Sequence, residues 1–453
     1  MPNLHYTPII GLEIHAELKT QSKMFCGCAN NPFLAKKPNI HTCPVCLGMP
    51  GGLPVPNKKA IEWIIRLGLA LNCQVNQFSK FDRKNYFYPD LAKGYQISQH
   101  DIPFCHDGVL ETSQGIVRIR RIHLEEDTAK LLHETVHGEP VSLIDFNRSG
   151  VPLVEIVTEP DIINGQQAQE YGKKIRQIIR FLGIGDCKMA EGGMRLEANV
   201  SLRSPSDKAL PNYKVEVKNI NSFKFLEQAI NFEIERQTQL LDQGQQPVQE
   251  TRGWDSKKNC TFSQRTKEDA ADYRYFPEPD IPPIVISDQQ LKQLQTDLPE
   301  LPTQISHRWQ DQFQIPEQTA SILITDAGET TVIDQLFLTA KQQQLSPSQL
   351  ANDLVNKKIP LLVNKSQSQQ DLSNTIRQIL VQFKKLHQTQ KIDNAQLEEI
   401  VRATLATNQD AVAKYQAGKT QVLGFLLGQI RAQTAKDADM NQIRQTLIQA
   451  LQK

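Results

Sequence analysis

Residues 8–18, PIIGLEIHAEL, alternate so regularly that a pleated strand is the structure that accommodates them: Ile10, Leu12, Ile14, Ala16 and Leu18 fall on one side, Glu13, His15 and Glu17 on the other. Successive side chains of a strand point to opposite faces, so one face packs and the other stays open. Taken alone, this is a half-solvated sheet element. It gains chemical meaning when other strands bring acids, amides and bases to the same face. GMRLEANVSLR sets Arg195, Glu197, Asn199, Ser201 and Arg203 against Met194, Leu196, Ala198, Val200 and Leu202. RIHLEEDTAK offers His123, Glu125 and Asp127 on one side, and YKVEVKNINS offers Lys214, Glu216 and Lys218. In GVPLVEIVTEP, Glu155 interrupts an apolar run, where a carboxylate is costly unless paired or metal-bound.

The strands are not interleaved regularly with helices, which favours an α+β fold with a mainly antiparallel sheet over a doubly wound one. IEWIIRLGLALN, EYGKKIRQIIRFLGI and FLEQAINFEIERQTQLLDQG have helical periodicity, the last stopping at Gly244. Between Pro277 and Pro302 the prolines Pro279, Pro282, Pro283 and Pro299 suggest an extended connection. Beyond it the pattern is helical, with a linker expected at NKSQSQQ. At 453 residues, two or three domains are expected: a catalytic domain over 1–290, a helical connector over 291–365 and a helical tail over 366–453. Lys and Arg total 51 against 50 Asp and Glu, so any RNA contact must rest on a local patch or on shape. No apolar run is long enough to span a bilayer and the first residues lack a secretory layout, giving the expectation of a cytoplasmic protein.

Carboxylates, amides and lysines gathered on one sheet face suit phosphoryl transfer, in which hard oxygen ligands hold magnesium and basic groups neutralise the moving charge. The basic candidates are Arg83, Lys84, Arg148, Lys218 and Arg274. No Walker or kinase glycine pattern is present, so ATP, if used, is held in another way. Cys26, Cys28, Cys43 and Cys46, spaced C-x-C-x14-C-x2-C, match a closed four-thiolate zinc site. The motif HExxH at His133, Glu134 and His137 is a metalloprotease pattern only on a helix, and Gly138 and Pro140 make a hairpin tip the better reading.

The segments IGLEIHAELKT, PGGLPVPN, FDRKNYFYPDLAKGYQISQ, HLEEDTAK, DFNRSGVPLVEIVTEPD, EVKNINSF and DYRYFPEPD resemble the GatB family, the kinase and transamidase component of the aspartyl/glutamyl-tRNA amidotransferase, and GKTQVLGFLLGQI is similar to its YqeY-like helical end. The resemblance implies a cradle fold similar to the glutamine synthetase group, and an enzyme that uses ATP and Mg2+ to phosphorylate the side-chain carboxylate of Glu on tRNA(Gln) or Asp on tRNA(Asn). Ammonia then displaces phosphate. No glutaminase pattern is present, so the resemblance implies a heterotrimer with an amidase A subunit and a small C subunit. It places Glu13, His15, Glu125 and Glu155 at metal-binding positions, with Lys84, Arg148 and Lys218 beside them in catalysis. Glu197 falls at a further metal position, where this chain has RLEAN and the family usually Arg-Cys-Asp-Ala-Asn. Lys84, Arg148, Asn199, Lys218 and Asn219 become nucleotide and phosphate contacts, and the tail, with Lys414, Lys419 and Arg431, a tRNA-binding element. The competing readings are a zinc-ribbon RNA-binding module without catalysis and the HExxH protease.

Overall fold

The computed structural model describes residues 6–266, 273–361, 369–387, 392–434 and 438–452. It divides into two compact units, Met1–Gln310 with Ile324–Thr330, and Asp311–Leu323 with Thr331–Lys453.

The first unit is built on a nine-stranded sheet. Its strands lie in the order Cys260–Thr266, Glu250–Asp255, Val215–Ile220, Met194–Arg203, Thr7–Glu17, Pro152–Thr158, Gly115–Glu126, Cys105–Thr112, Gln74–Val75. Neighbours pair antiparallel except Val215–Ile220 with Glu250–Asp255. That parallel pair needs a crossover, which the helix Phe223–Asp242 supplies. The alternation of PIIGLEIHAEL is realised in full: Ile10, Leu12, Ile14 and Ala16 are buried in the core. They pack with Leu196, Ala198 and Val200 of the adjoining strand and with Ile175, Ile179, Leu226 and Ile230 of the helices Gly165–Phe181 and Phe223–Asp242. Truncating such a residue, Ile14→Ala for example, removes about 2–5 kcal/mol.

Side-chain caps start these helices: Asn57 accepts from Lys59 N and Ala60 N, Asn164 from Gln167 N, and Ser222 from Phe225 N. Gly244, at φ 71°, ends Phe223–Asp242 in the left-handed conformation that a glycine stop favours. The HExxH residues form a hairpin. His133 and Glu134 lie in the strand Lys130–Val136, and His137 and Gly138, at φ 52° and 84°, make its turn. His133 Nδ1 sits 3.0 Å from Ser142 Oγ across the hairpin, so no helical face presents two imidazoles to a metal.

The Pro277–Pro302 segment is more regular than expected. A helix, Asp288–Thr296, stands between the two proline groups, capped by reciprocal bonds between Ser287 and Gln290. The prolines break structure only where they occur, and residues 284–298 contain none.

In the second unit the helices Pro347–Val355 and Gln369–Leu386 are joined through buried Asp353, which meets His387 Nε2 at 2.5 Å and Lys358 Nζ at 3.1 Å. The helices Asn394–Thr407, Val422–Ala432 and Met440–Leu451 share a separate core of Leu397, Val401, Leu426, Ile430, Ile443, Leu447 and Leu451. The linker expected at NKSQSQQ, and with it the boundary near 365, falls largely on residues 362–368, outside the described residues. Among the described residues no helix is long and apolar enough to cross a membrane.

Candidate active site

One face of the sheet packs against helices; the other gathers charge. Strand register decides which groups meet. His15 stands opposite Glu155, Glu155 opposite His123, Glu13 opposite Glu197, and His15 opposite Arg195 on its other side. Two donor clusters result. In the first, the ligand atoms of His15, Glu125 and Glu155 lie within 4.8 Å of one another. His15 Nε2 is 3.6 Å from Glu125 and 3.4 Å from Glu155, His123 Nε2 approaches Glu155 at 3.1 Å, and Ser98 Oγ donates to Glu125 at 3.3 Å. In the second, Glu13, Glu197 and Glu216 converge within the same 4.8 Å. Asn199 Nδ2 donates to Glu13 at 2.9 Å, Lys218 Nζ to Glu197 at 2.8 Å, and Thr251 Oγ1 to Glu216 at 2.8 Å.

The face is short of positive charge. Burial, then the carboxylates of Glu155 and Glu197, push the Glu13 carboxyl above its ordinary pKa. Burial alone would lower the His15 pKa, but Glu155 and Glu125 outweigh it and raise it to about 9. Burial opposes ionisation of Glu155 too, yet His123 and His15 hold it well below the carboxylate range. Lys84 is likewise kept charged against its burial by Glu125, Tyr275 and Glu155, with its Nζ 5.1 Å from the centre of the Tyr273 ring. Carboxylate oxygens crowded to this degree, with one imidazole, fit hard divalent cations such as magnesium.

The remaining sequence candidates take other positions. Arg148 spends its guanidinium on backbone carbonyls, Nε on Thr128 at 3.0 Å and Nη2 on Ala129 at 2.9 Å. Arg83 is held by Glu278 through Nε at 2.7 Å and Nη2 at 2.8 Å. Asn219, at φ 62°, lies exposed where the pairing of Val215–Ile220 with Met194–Arg203 slips. That bulge leaves neighbouring Lys218 beside Glu197 and Glu216. Arg274 is also left-handed, at φ 44°, and its carbonyl accepts from Asn85 Nδ2 at 2.8 Å.

Away from this face, Cys26, Cys28, Cys43 and Cys46 bring four sulfurs within 4.8 Å of one another, a set that could hold a structural metal and is consistent with zinc. Fully buried Lys23 runs beneath them, its Nζ 3.8 Å from Cys46 Sγ and bonded to the carbonyls of His41 and Phe146. The Cys26 sulfur hydrogen bond, with Lys23 nearby, lowers the Cys46 thiol to about 5 against its burial, the thiolate form a metal requires.

Comparison with known proteins agrees in both parts of the chain. The family described as GatB/GatE catalytic domain matches residues 8–292, and the family described as GatB domain matches residues 337–451. The B subunit of the aspartyl/glutamyl-tRNA(Asn/Gln) amidotransferase from Thermomicrobium roseum is 42% identical over 99% of both chains. The protein of the same name from Thermoanaerobacter sp. and the second of that name from Clostridium acetobutylicum are each 40% identical, over 99% of this chain and all of theirs. The chain belongs to the GatB family.

Within this GatB sheet face, sequence reasoning left two participants unassigned. Glu216 was visible as one residue of an alternating strand, but its place beside Glu13 and Glu197 follows only from strand order. His123 had the same standing, and it becomes the partner of Glu155. On the other side of the same strand from Glu125, Lys93 Nζ meets buried Glu126 at 2.6 Å, and Ile97 N donates to the same carboxylate at 3.0 Å. No periodic pattern flags it.

Proposed function

We propose that this chain is the ATP-using component of a tRNA-dependent amidotransferase. It phosphorylates the side-chain carboxylate of Glu on tRNA(Gln), of Asp on tRNA(Asn), or of both. Ammonia from a partner amidase then converts the acyl phosphate to the amide. The observation that carries the reading is the pair of carboxylate clusters on one open sheet face, five strands contributing, in a chain whose relatives are named for that activity.

The chemistry asks for an electrophile. A carboxylate resists attack by ammonia. Once its oxygen has displaced ADP from the γ-phosphorus of ATP, the acyl carbon carries a good leaving group, and ammonia attack releases inorganic phosphate. Bound at His15, Glu125 and Glu155 and at Glu13, Glu197 and Glu216, magnesium would supply charge neutralisation for the phosphates. Lys84 and Lys218 place fixed ammonium groups at the two clusters, where they offset charge as it migrates to ADP. Asn199 orients Glu13 through its 2.9 Å hydrogen bond, and His123 orients Glu155. Arg148 braces the turn after Glu126 through two carbonyls and so shapes the wall of the site.

The same reading assigns the first unit to the glutamine synthetase-like cradle group, with zinc in the thiol set, and the helices after it to a connector and a tRNA-binding tail. It places the chain in a cytoplasmic heterotrimer with A and C subunits. In the tail, Lys414, Lys419 and Arg431 are exposed beside an apolar helix that braces them, suited to backbone contact with a folded RNA. The test is to purify the chain with A and C partners and measure ATP-dependent amidation of each misacylated tRNA. At least one is expected to be converted; conversion of neither would overturn the reading.

A further inference from the structure

Arg195 lies between the two donor clusters. It faces His15 across the strand pair and is two residues from Glu197 on the same open face. One corner of its guanidinium is fixed: Nη2 donates to Asp127 Oδ2 at 2.5 Å. Asp127 is itself immobile. It is buried, its Oδ1 accepts from Thr128 N at 2.9 Å, and Arg148 Nε stands 3.8 Å from Oδ2.

The rest of the guanidinium is unspent. Arg195 Nε is buried and has no hydrogen-bond partner, and Nη1 makes no hydrogen bond among the described residues. A buried donor left without a partner is destabilising, a cost that a ligand acceptor would recover. Arg118 and Arg120, on the strand Gly115–Glu126 of the same sheet, show the contrast: each gives Nε and Nη2 to one carboxylate, Asp161 or Glu159, at 2.7–2.9 Å. In both, Nε has its partner, as Arg195 Nε does not. The Arg195 side chain keeps 37% of its surface exposed on the face where ligand must arrive. Its planar fork suits phosphate oxygens better than an ammonium does.

We propose that Arg195 is a catalytic residue that donates to the transferring phosphoryl group, and that Asp127 is the positioning residue that holds it. The proposal rests on the function given above. In that step the side-chain carboxylate oxygen forms a bond to the γ-phosphorus of ATP. The bond from that phosphorus to the β,γ-bridging oxygen breaks, and its electron pair leaves with ADP. No proton moves. Nε and Nη1 of Arg195 donate to oxygens of the phosphoryl group while it is between the two.

The test uses the assembled complex with A and C partners. Arg195→Ala is expected to lower kcat for ATP-dependent amidation about a hundredfold, leave KM for the misacylated tRNA unchanged, and regain part of the rate with added methylguanidinium. Asp127→Asn is expected to lose less than Arg195→Ala, since the arginine remains. A second measurement needs no variant: phenylglyoxal labelling of Arg195 in the wild-type complex, mapped by mass spectrometry, is expected to be suppressed by magnesium with a non-hydrolysable ATP analogue. An Arg195→Ala kcat within about threefold of wild type would overturn the assignment, as would labelling that the nucleotide leaves unchanged. If instead the wild-type complex amidates neither tRNA, the underlying reading falls and this proposal with it.

Discussion

The thiol set and the two carboxylate sets of the first unit each converge within 4.8 Å, but they are assembled from opposite materials. Cys26, Cys28, Cys43 and Cys46 come from two short stretches near one another in sequence. The six carboxylate-set ligands span Glu13 to Glu216 and come from five strands. The charge balance differs as well. Lys23 is built in beneath the sulfurs, 3.8 Å from Cys46, and four soft donors would complete a tetrahedral shell with no position left for substrate. On the sheet face the carboxylates exceed the fixed cations, and Glu13 is hard to ionise because of its burial and its neighbours. A set that satisfies its ion fully serves stability. One that leaves charge and coordination unfilled serves a ligand that comes and goes.

That contrast breaks first at Glu13. Glu13→Gln is expected to cut ATP-dependent amidation by about a hundredfold, on the order of 3 kcal/mol, because it removes a donor for the phosphate-bound cation. Its thermal midpoint without divalent metal is expected to hold or rise. A carboxyl whose pKa is raised in the folded state is destabilising when ionised at neutral pH, so its removal relieves the fold. Lost stability with retained turnover would make the face structural.

The opposite outcome is expected at the thiols. Cys43→Ser should release one equivalent of zinc, measured by metal analysis, and lower the thermal midpoint by about 2–4 °C for each kcal/mol lost. Turnover of the protein still folded should stay within a few-fold of wild type.

The C-terminal helices contribute to neither set. Ending the chain at residue 391 removes the separate core built from Leu397 to Leu451 and should leave both metal contents unchanged. It should weaken tRNA binding about tenfold and flatten its salt dependence, read by titration at several salt concentrations. Equal binding curves would leave recognition to the residues before 392.

The smallest effect belongs to a carboxylate that already has its partners. Burial would raise the Asp353 pKa, but the His387 and Lys358 contacts bring it below the usual value. A depressed acid contributes stability that is fully present above the unfolded-state value, about 3.9, and is lost as pH falls through the folded value beneath it. Asp353→Asn should therefore cost about 1–2 kcal/mol at neutral pH, a loss that shrinks in acid, as followed by denaturant unfolding across pH.

What could be read from the chain before its structure follows the same division. The cysteine spacing is local and needs no fold to interpret it. The strand alternation was equally visible, and it put Glu13 and His15 on an open face and Ile10, Leu12 and Ile14 in the core. Pairing was the missing information. Which strand lies beside which, and where a bulge shifts the register near Lys218, brings Glu216 to Glu13 and sets Arg195 opposite His15. Neither relation has a periodic signature. The helix Asp288–Thr296 was hidden for a different reason: the density of prolines around it masked a proline-free run with its own cap.

The most direct measurement follows the phosphorus. The assembled complex, given ATP labelled at the γ-position and a misacylated tRNA with no ammonia source, is expected to form ADP and to leave acid-stable, hydroxylamine-sensitive label on the aminoacyl group only when magnesium is present. Label that never reaches the tRNA under these conditions, or release of AMP and pyrophosphate in place of ADP, would contradict phosphorylation of the carboxylate on this sheet face.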